Sequence, residues 1–384
     1  LLIKKYLSLS SFYFFYCAIL GSILPFFGVY LKANGYSTSL IALTSAILLA
    51  SNIVAPNFWG WLSDKTGRRG KIIQLGNLLA CFSFALLFWT QSYWSIIFVV
   101  ATFSFCWQGL IAQFEVVTLT SIKGTAISYG RVRMWGSIGF VGAVSLLGLF
   151  FEQTSIHYFP HVTLCLFILL WISTLLIQDS TQQQEKQSSG GLLNTLKKPT
   201  MVLLLTAILF VNISHGIYYT FFSIYLEALG YSSGTIGALW TTAVVAEILM
   251  FIVINKLFKH LSWHFILLIS LVMAIVRWAS ITFFADSLIV LMFSQTLHAF
   301  TFSAIHSIMM ERIQVEFKPE HQGRGQAIYN SVCVSAGAAL GAGIAGLTWD
   351  WSHSGTFGIS TAFALVALFI AILSGLKMMQ TQKI

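Results

Sequence analysis

Between Tyr6 and Leu31 no Asp, Glu, Lys or Arg interrupts the chain, and the same holds for Ile72 to Phe114, Pro199 to Leu226 and Gly325 to Trp349. Each run holds one or two stretches of the roughly 20 apolar residues that cross a bilayer as a helix. Placing helices on the apolar runs predicts twelve spans, at about 8–31, 40–62, 72–91, 94–116, 132–151, 159–178, 200–226, 234–256, 262–283, 287–311, 323–348 and 355–377. Short strands of alternating polarity are missing from the pattern, which excludes a transmembrane barrel. The predicted fold is all-α.

The polar intervals between these runs carry a second pattern. Lysine and arginine gather at the termini and in alternate loops: Lys4 and Lys5, Lys65 to Lys71, Lys123 and Arg131, Lys186 to Lys198, Lys256 and Lys259, Arg312 to Arg324, and Lys377 and Lys383. The opposite loops hold Lys32 with Glu152, Glu227, Asp286 and Asp350. By the positive-inside rule both termini are expected in the cytoplasm, with the chain in a cytoplasmic (inner) membrane. One long polar stretch, STQQQEKQSSGGLLNTLKK from Ser180, has the Ser, Gln and Gly content of a flexible linker. It divides the chain into an expected N-terminal six-helix bundle (1–179), a cytoplasmic linker (180–198) and a C-terminal six-helix bundle (199–384). The halves echo each other. FFGVYLKANGYSTSLI from Phe26 aligns without a gap to FFSIYLEALGYSSGTI from Phe221, identical at about half the positions.

Composition agrees with this reading. Hydrophobic residues make up 57% and charged residues 9% of the chain, and mean hydropathy is +0.82, whereas soluble domains carry about a quarter charged residues. The net charge of +9 sits at the ends of apolar runs, so it reads as a topology signal and not as a nucleic-acid surface. Cys17, Cys81, Cys106, Cys165 and Cys333 lie within predicted spans and form no CxxC pair, so no disulfide, metal site or cofactor is expected. The first run lacks a small-residue cleavage site and reads as a retained span. Because the chain opens on Leu1, a few preceding residues are expected.

Charges inside the spans are the main functional signal. Among 21 basic and 12 acidic residues, Glu115, Arg133, Glu247 and Arg277 fall well within predicted helices, where a charge costs about 2.5–3.5 kcal/mol on insertion scales. Two acids and two arginines balance, which suggests one pair per half, Glu115 with Arg133 and Glu247 with Arg277, facing a water-filled cavity. Structural ion pairs that lock helices together are the alternative. His298 and His306 lie on the tenth span. His215, Tyr218 and Tyr219 on the seventh, and Trp240 on the eighth one heptad before Glu247, are weaker cavity candidates. Pro25 and Pro56 are expected to kink the first two spans, and Gly139, Gly337 and Gly341 to allow close helix packing.

The loop between spans two and three reads GWLSDKTGRR, Gly60 to Arg69. With Gly60, Asp64, Gly67, Arg68 and Arg69 at the required spacing, it resembles the loop signature of the major facilitator superfamily. The resemblance implies a conformational latch in which Asp64 meets a helix N-terminus of the other half while Arg68 and Arg69 contact carboxylates or lipid phosphates. A purely orienting basic loop is the alternative. At the matching place in the second half Asn255 and Lys259 stand instead, so the latch is expected on one side alone. A further resemblance, to the lactose permease and phenylpropionate permease branch, rests on YGRVRMWGS from Tyr129, VVAEILMFIVINKLF from Val244, VRW from Val276 and LHAFTFSAIH from Leu297. It implies substrate-binding roles for Glu115, Arg133, Arg277 and His298; with Glu115 expected to stay paired with Arg133, Glu247 is the other acid deep in a span and the expected proton carrier, with His298 in reserve.

Departures from the lactose pattern change the expected solute. Phe140 stands where the lactose permease stacks a tryptophan, Met250 where it places an asparagine, and Thr301 where it places a proton carboxylate. Phe140, Met250 and Trp240 suit an apolar or aromatic body, and an arginine fork suits a carboxylate. The expected function is proton-coupled import of a small, partly apolar organic acid by a monomer. The alternatives are an exporter working by proton antiport and a sugar or nucleoside symporter. No triad, metal-spaced or phosphate-loop pattern points to an enzyme.

Overall fold

The computed structural model describes residues 2–90, 92–177 and 192–381. Twelve helices among these are long and apolar enough to cross a membrane, and they are numbered here in chain order: α1 (Lys5–Ala33), α2 (Thr38–Thr66), α3 (Arg69–Trp89), α4 (Tyr93–Ile122), α5 (Tyr129–Gln153), α6 (Ile156–Thr174), α7 (Pro199–Ala228), α8 (Ser233–His260), α9 (Trp263–Phe283), α10 (Leu288–Glu316), α11 (Pro319–Thr348) and α12 (His353–Lys377). Most of the linker expected at 180–198 lies outside the described residues; its end forms a short helix, Leu192–Leu196. The helices continue through Pro25 and Pro56.

The chain packs as two compact units, Leu1–Glu185 with Leu226–Ala238, and Lys186–Tyr225 with Leu239–Ile384. The expected halves differ from these in one segment, because Leu226–Ala238 packs with the first unit. This segment holds most of the second copy of the sequence repeat, and both copies fold into one kind of turn. Gly35 (φ 80°) and Gly230 (φ 85°) occupy the left-handed region that glycine enters without penalty. Tyr36 N donates to Leu31 O and Tyr231 N to Leu226 O, at 3.1 and 3.0 Å. A serine hydroxyl then caps the following helix: Ser37 Oγ accepts from Leu40 N and Ser232 Oγ from Thr235 N.

Close helix approach organises each unit. In the first, α1 and α5 cross at Gly139, where a Cβ would stand 2.1 Å from the carbonyl oxygen of Phe14. In the second, α7 and α11 cross at Gly216 and Gly341, where a Cβ would stand 2.0 Å from the oxygens of Ala338 and Ile213. Helices in lipid associate by packing and not by the hydrophobic effect, so such contacts carry much of the attraction. Two helices also change winding. Ala299–Ala304 in α10 and Tyr329–Ala336 in α11 are π-helical, a geometry that recurs at functional sites.

Candidate transport site

In the first unit, α4 and α5 bring three side chains together. Tyr129 and Arg133 are four apart on α5 and therefore share a face. The Tyr129 hydroxyl donates to Glu115 Oε1, and Arg133 Nη1 approaches that same oxygen at 3.4 Å. The arginine contact is long for a hydrogen bond, and the Arg133 side chain remains 52% accessible beside a 38% accessible Glu115. Its guanidinium carbon lies 5.7 Å from the centre of the Tyr13 ring, while the Tyr13 hydroxyl donates to Thr118 Oγ1. Glu115 is thus anchored by Tyr129, and Arg133 keeps donor capacity for an incoming anion.

The second unit is arranged differently. The expected ion pair between Glu247 and Arg277 is not formed; His298 stands between them. Its Nδ1 is 2.9 Å from Arg277 Nη1 and its Nε2 is 3.6 Å from Glu247 Oε2. A guanidinium only donates, so Nδ1 accepts and Nε2 carries the hydrogen that faces the carboxylate. Arg277 is fully buried and also donates to Thr301 Oγ1 at 3.0 Å, His215 Nε2 at 3.4 Å and Gln295 Oε1 at 3.3 Å. Three acceptors thereby compete for the two hydrogens on Nη1. His215 Nδ1 donates to Val211 O, which leaves its Nε2 as the acceptor. The rings of Tyr218 and Trp278 each lie 4.4 Å from the guanidinium carbon. Every one of these partners is neutral, and Arg277 Nε makes no hydrogen bond. Glu247 is 22% accessible and, among the described residues, pairs with no lysine or arginine.

The remaining candidates separate into packing and periphery. Trp240 donates from Nε1 to Ser223 Oγ at 3.0 Å and lies against Tyr218 and Tyr219. Met250 belongs to the apolar core of the second unit with Leu267 and Ile305, and Phe140 is buried where Gly21 approaches its carbonyl oxygen. In the loop signature, Gly67 (φ 65°) ends α2, and Asp64 pairs with Arg69 of that same loop. Gly60 admits Gln113 of α4, whose Nε2 would be 3.1 Å from an added Cβ.

A sequence profile of the MFS_1 like family matches residues 6–359, nearly the whole chain. The chain belongs to this family. Among relatives of this major facilitator transporter, it is 29% identical over 374 residues to the probable 3-phenylpropionic acid transporter of Escherichia coli (strain K12), spanning 93% of this chain and 95% of that protein. It is 24% identical over 282 residues to the uncharacterized transporter YwbF of Bacillus subtilis (strain 168), spanning 72% and 70%. The crystal structure of the nucleoside transporter NupG superposes with a TM-score of 0.86 at 16% identity, over 96% of this chain and 98% of that one. A bacterial homologue of the human lysosomal transporter Spinster, inward-facing and unoccupied, superposes with a TM-score of 0.66 at 13% identity, over 96% of both chains. These structures establish the fold of the transporter.

Sequence reasoning placed the four charges but missed some of their partners. Tyr129 had a readable signal, its four-residue spacing to Arg133. Gln295, His298 and Thr301 recur every three residues along α10, which marks one helix face, although neutral polar residues in spans are too common to single out Gln295 or to assign Thr301 a role.

Proposed function

We propose that this transporter imports a small, partly apolar organic acid, an arylpropionate-like carboxylate, by proton symport. The observation that carries this reading is the contrast between the two sites: in one unit an accessible arginine only loosely tied to an acid that Tyr129 anchors, and in the other an acid whose neighbour is an imidazole instead of a guanidinium. The Arg133 fork matches a carboxylate in a bidentate geometry that a sugar hydroxyl does not fill. Glu247 is the proton carrier, since Glu115 is engaged by Tyr129 and Arg133. His298 Nε2 positions the Glu247 carboxylate once the proton has left. The relationship to a probable 3-phenylpropionic acid transporter supports the same solute class.

Uptake by proteoliposomes under imposed proton or sodium gradients tests the reading, with 3-phenylpropionate screened against sugars and nucleosides. Accumulation of the aromatic acid on a proton gradient is the expected result. Accumulation of a nucleoside or sugar in its place would reassign the solute, and proton-driven expulsion of the acid would reverse the direction.

A further inference from the structure

A row of rings runs along α10 away from Glu247. Residues eight apart in an α-helix point about 80° away from each other, yet His298 and His306 stand in one stack because the wider π winding of Ala299–Ala304 takes up that angle. The His298 and Phe302 ring centres are 5.4 Å apart with planes at 18°, and those of Phe302 and His306 are 6.1 Å apart at 7°. The second π segment begins at Tyr329, whose hydroxyl lies 3.1 Å from His306 Nδ1. On α8, Phe251 follows Glu247 by one turn and meets His306 edge-on at 6.3 Å. Glu247 and His306 are therefore two protonatable groups with the rings of Phe251 and Phe302 beside the interval between them.

The two histidines differ in what their partners allow. Nδ1 of His298 faces a guanidinium, which has hydrogens and no lone pair to offer, so a second ring proton there would sacrifice the bond to Arg277. Nδ1 of His306 faces a hydroxyl, which accepts as readily as it donates. His306 keeps its bond to Tyr329 whether or not it carries an extra proton. A residue that passes protons needs that freedom, and a residue that fixes a carboxylate does not.

We propose that His306, oriented by Tyr329, is the station through which Glu247 exchanges its proton with the α10–α11 end of the second unit, and that Phe302 and Phe251 are the barrier between them. In this step the Glu247 O–H bond breaks and a ring N–H forms on His306 by way of water admitted when the rings part. Glu247 is left as a carboxylate facing His298 Nε2–H, and no electrons are transferred. The proposal rests on the proton-symport reading, and it moves the relay role from His298 to His306.

Proton conductance in the absence of any solute tests it independently of solute identity. Proteoliposomes loaded with potassium and a pH dye are given valinomycin, and proton entry is followed. Phe302→Ala should raise the rate at least about tenfold over the wild type, and adding His306→Phe, which keeps a ring in the stack, should bring it back. Phe251→Ala, at a more accessible position, takes the place of Phe302→Ala if the latter does not reconstitute. A barrier variant as proton-tight as the wild type overturns the proposal, as does a leak that survives His306→Phe. If the wild type moves 3-phenylpropionate without protons while these leaks appear as expected, the symport reading fails and the proton path stands.

Discussion

At the residue scale, the two arginines have different surroundings. Arg133 is accessible and its bond to Glu115 is long, so its planar fork can turn to a carboxylate. Arg133→Lys replaces the fork with a point charge, and 3-phenylpropionate binding should weaken at least about tenfold, near 1.4 kcal/mol. Equilibrium binding to purified protein checks this, and unchanged affinity would make the pair merely structural. Glu247→Gln mimics the protonated acid. Exchange between equal pools should persist, while accumulation on an imposed proton gradient should fall to background, and continued accumulation would move the proton to another group. The cost of charge in lipid made all four ionisable residues legible in the sequence. Charge balance gave the wrong pairing for Arg277, because a buried guanidinium can be satisfied by neutral acceptors such as His298, Thr301 and Gln295, which carry no charge to count.

At the element scale, apolar run length was enough to place every span, and the two copies of the repeat fold into one kind of turn at Gly35 and Gly230. Winding was not legible. Nothing in AFTFSA or YNSVCVSA separates a π segment from ordinary helix, so the stack of His298, Phe302 and His306 is visible only in the fold. Glycine packing offers a direct test within one helix. At Gly139 an added methyl would press on the backbone of Phe14, while at Gly142 it would meet open space. Gly139→Ala should lower the melting temperature in detergent, by an overpacking cost of about 1–3 kcal/mol. Gly142→Ala should leave it unchanged or raise it, since alanine is favoured over glycine in a helix by up to about 1 kcal/mol. Equal effects at the two positions would show that α1 and α5 do not meet tightly at Gly139.

For the whole molecule, the basic loops give an expectation of sidedness. A cysteine at Ser188 should react with an impermeant maleimide from the cytoplasmic face alone, and one at Ser155 from the opposite face alone; the reverse pattern would invert the membrane orientation. Arg277 has a further consequence at this scale. On the proposal that Glu247 carries the proton, the second unit keeps, while that proton is bound, a guanidinium in the membrane with no carboxylate to offset it, and on release the Glu247 charge appears across His298 from it. Each loading event thus alters by one the elementary charges exposed to the transmembrane field, which is worth up to about 2.3 kcal/mol per 100 mV for complete passage. The carrier itself becomes an electrical element. Voltage should therefore change the rate of solute exchange even where no net charge crosses, a dependence that a potassium-clamped exchange assay would register and that Glu247→Gln should flatten.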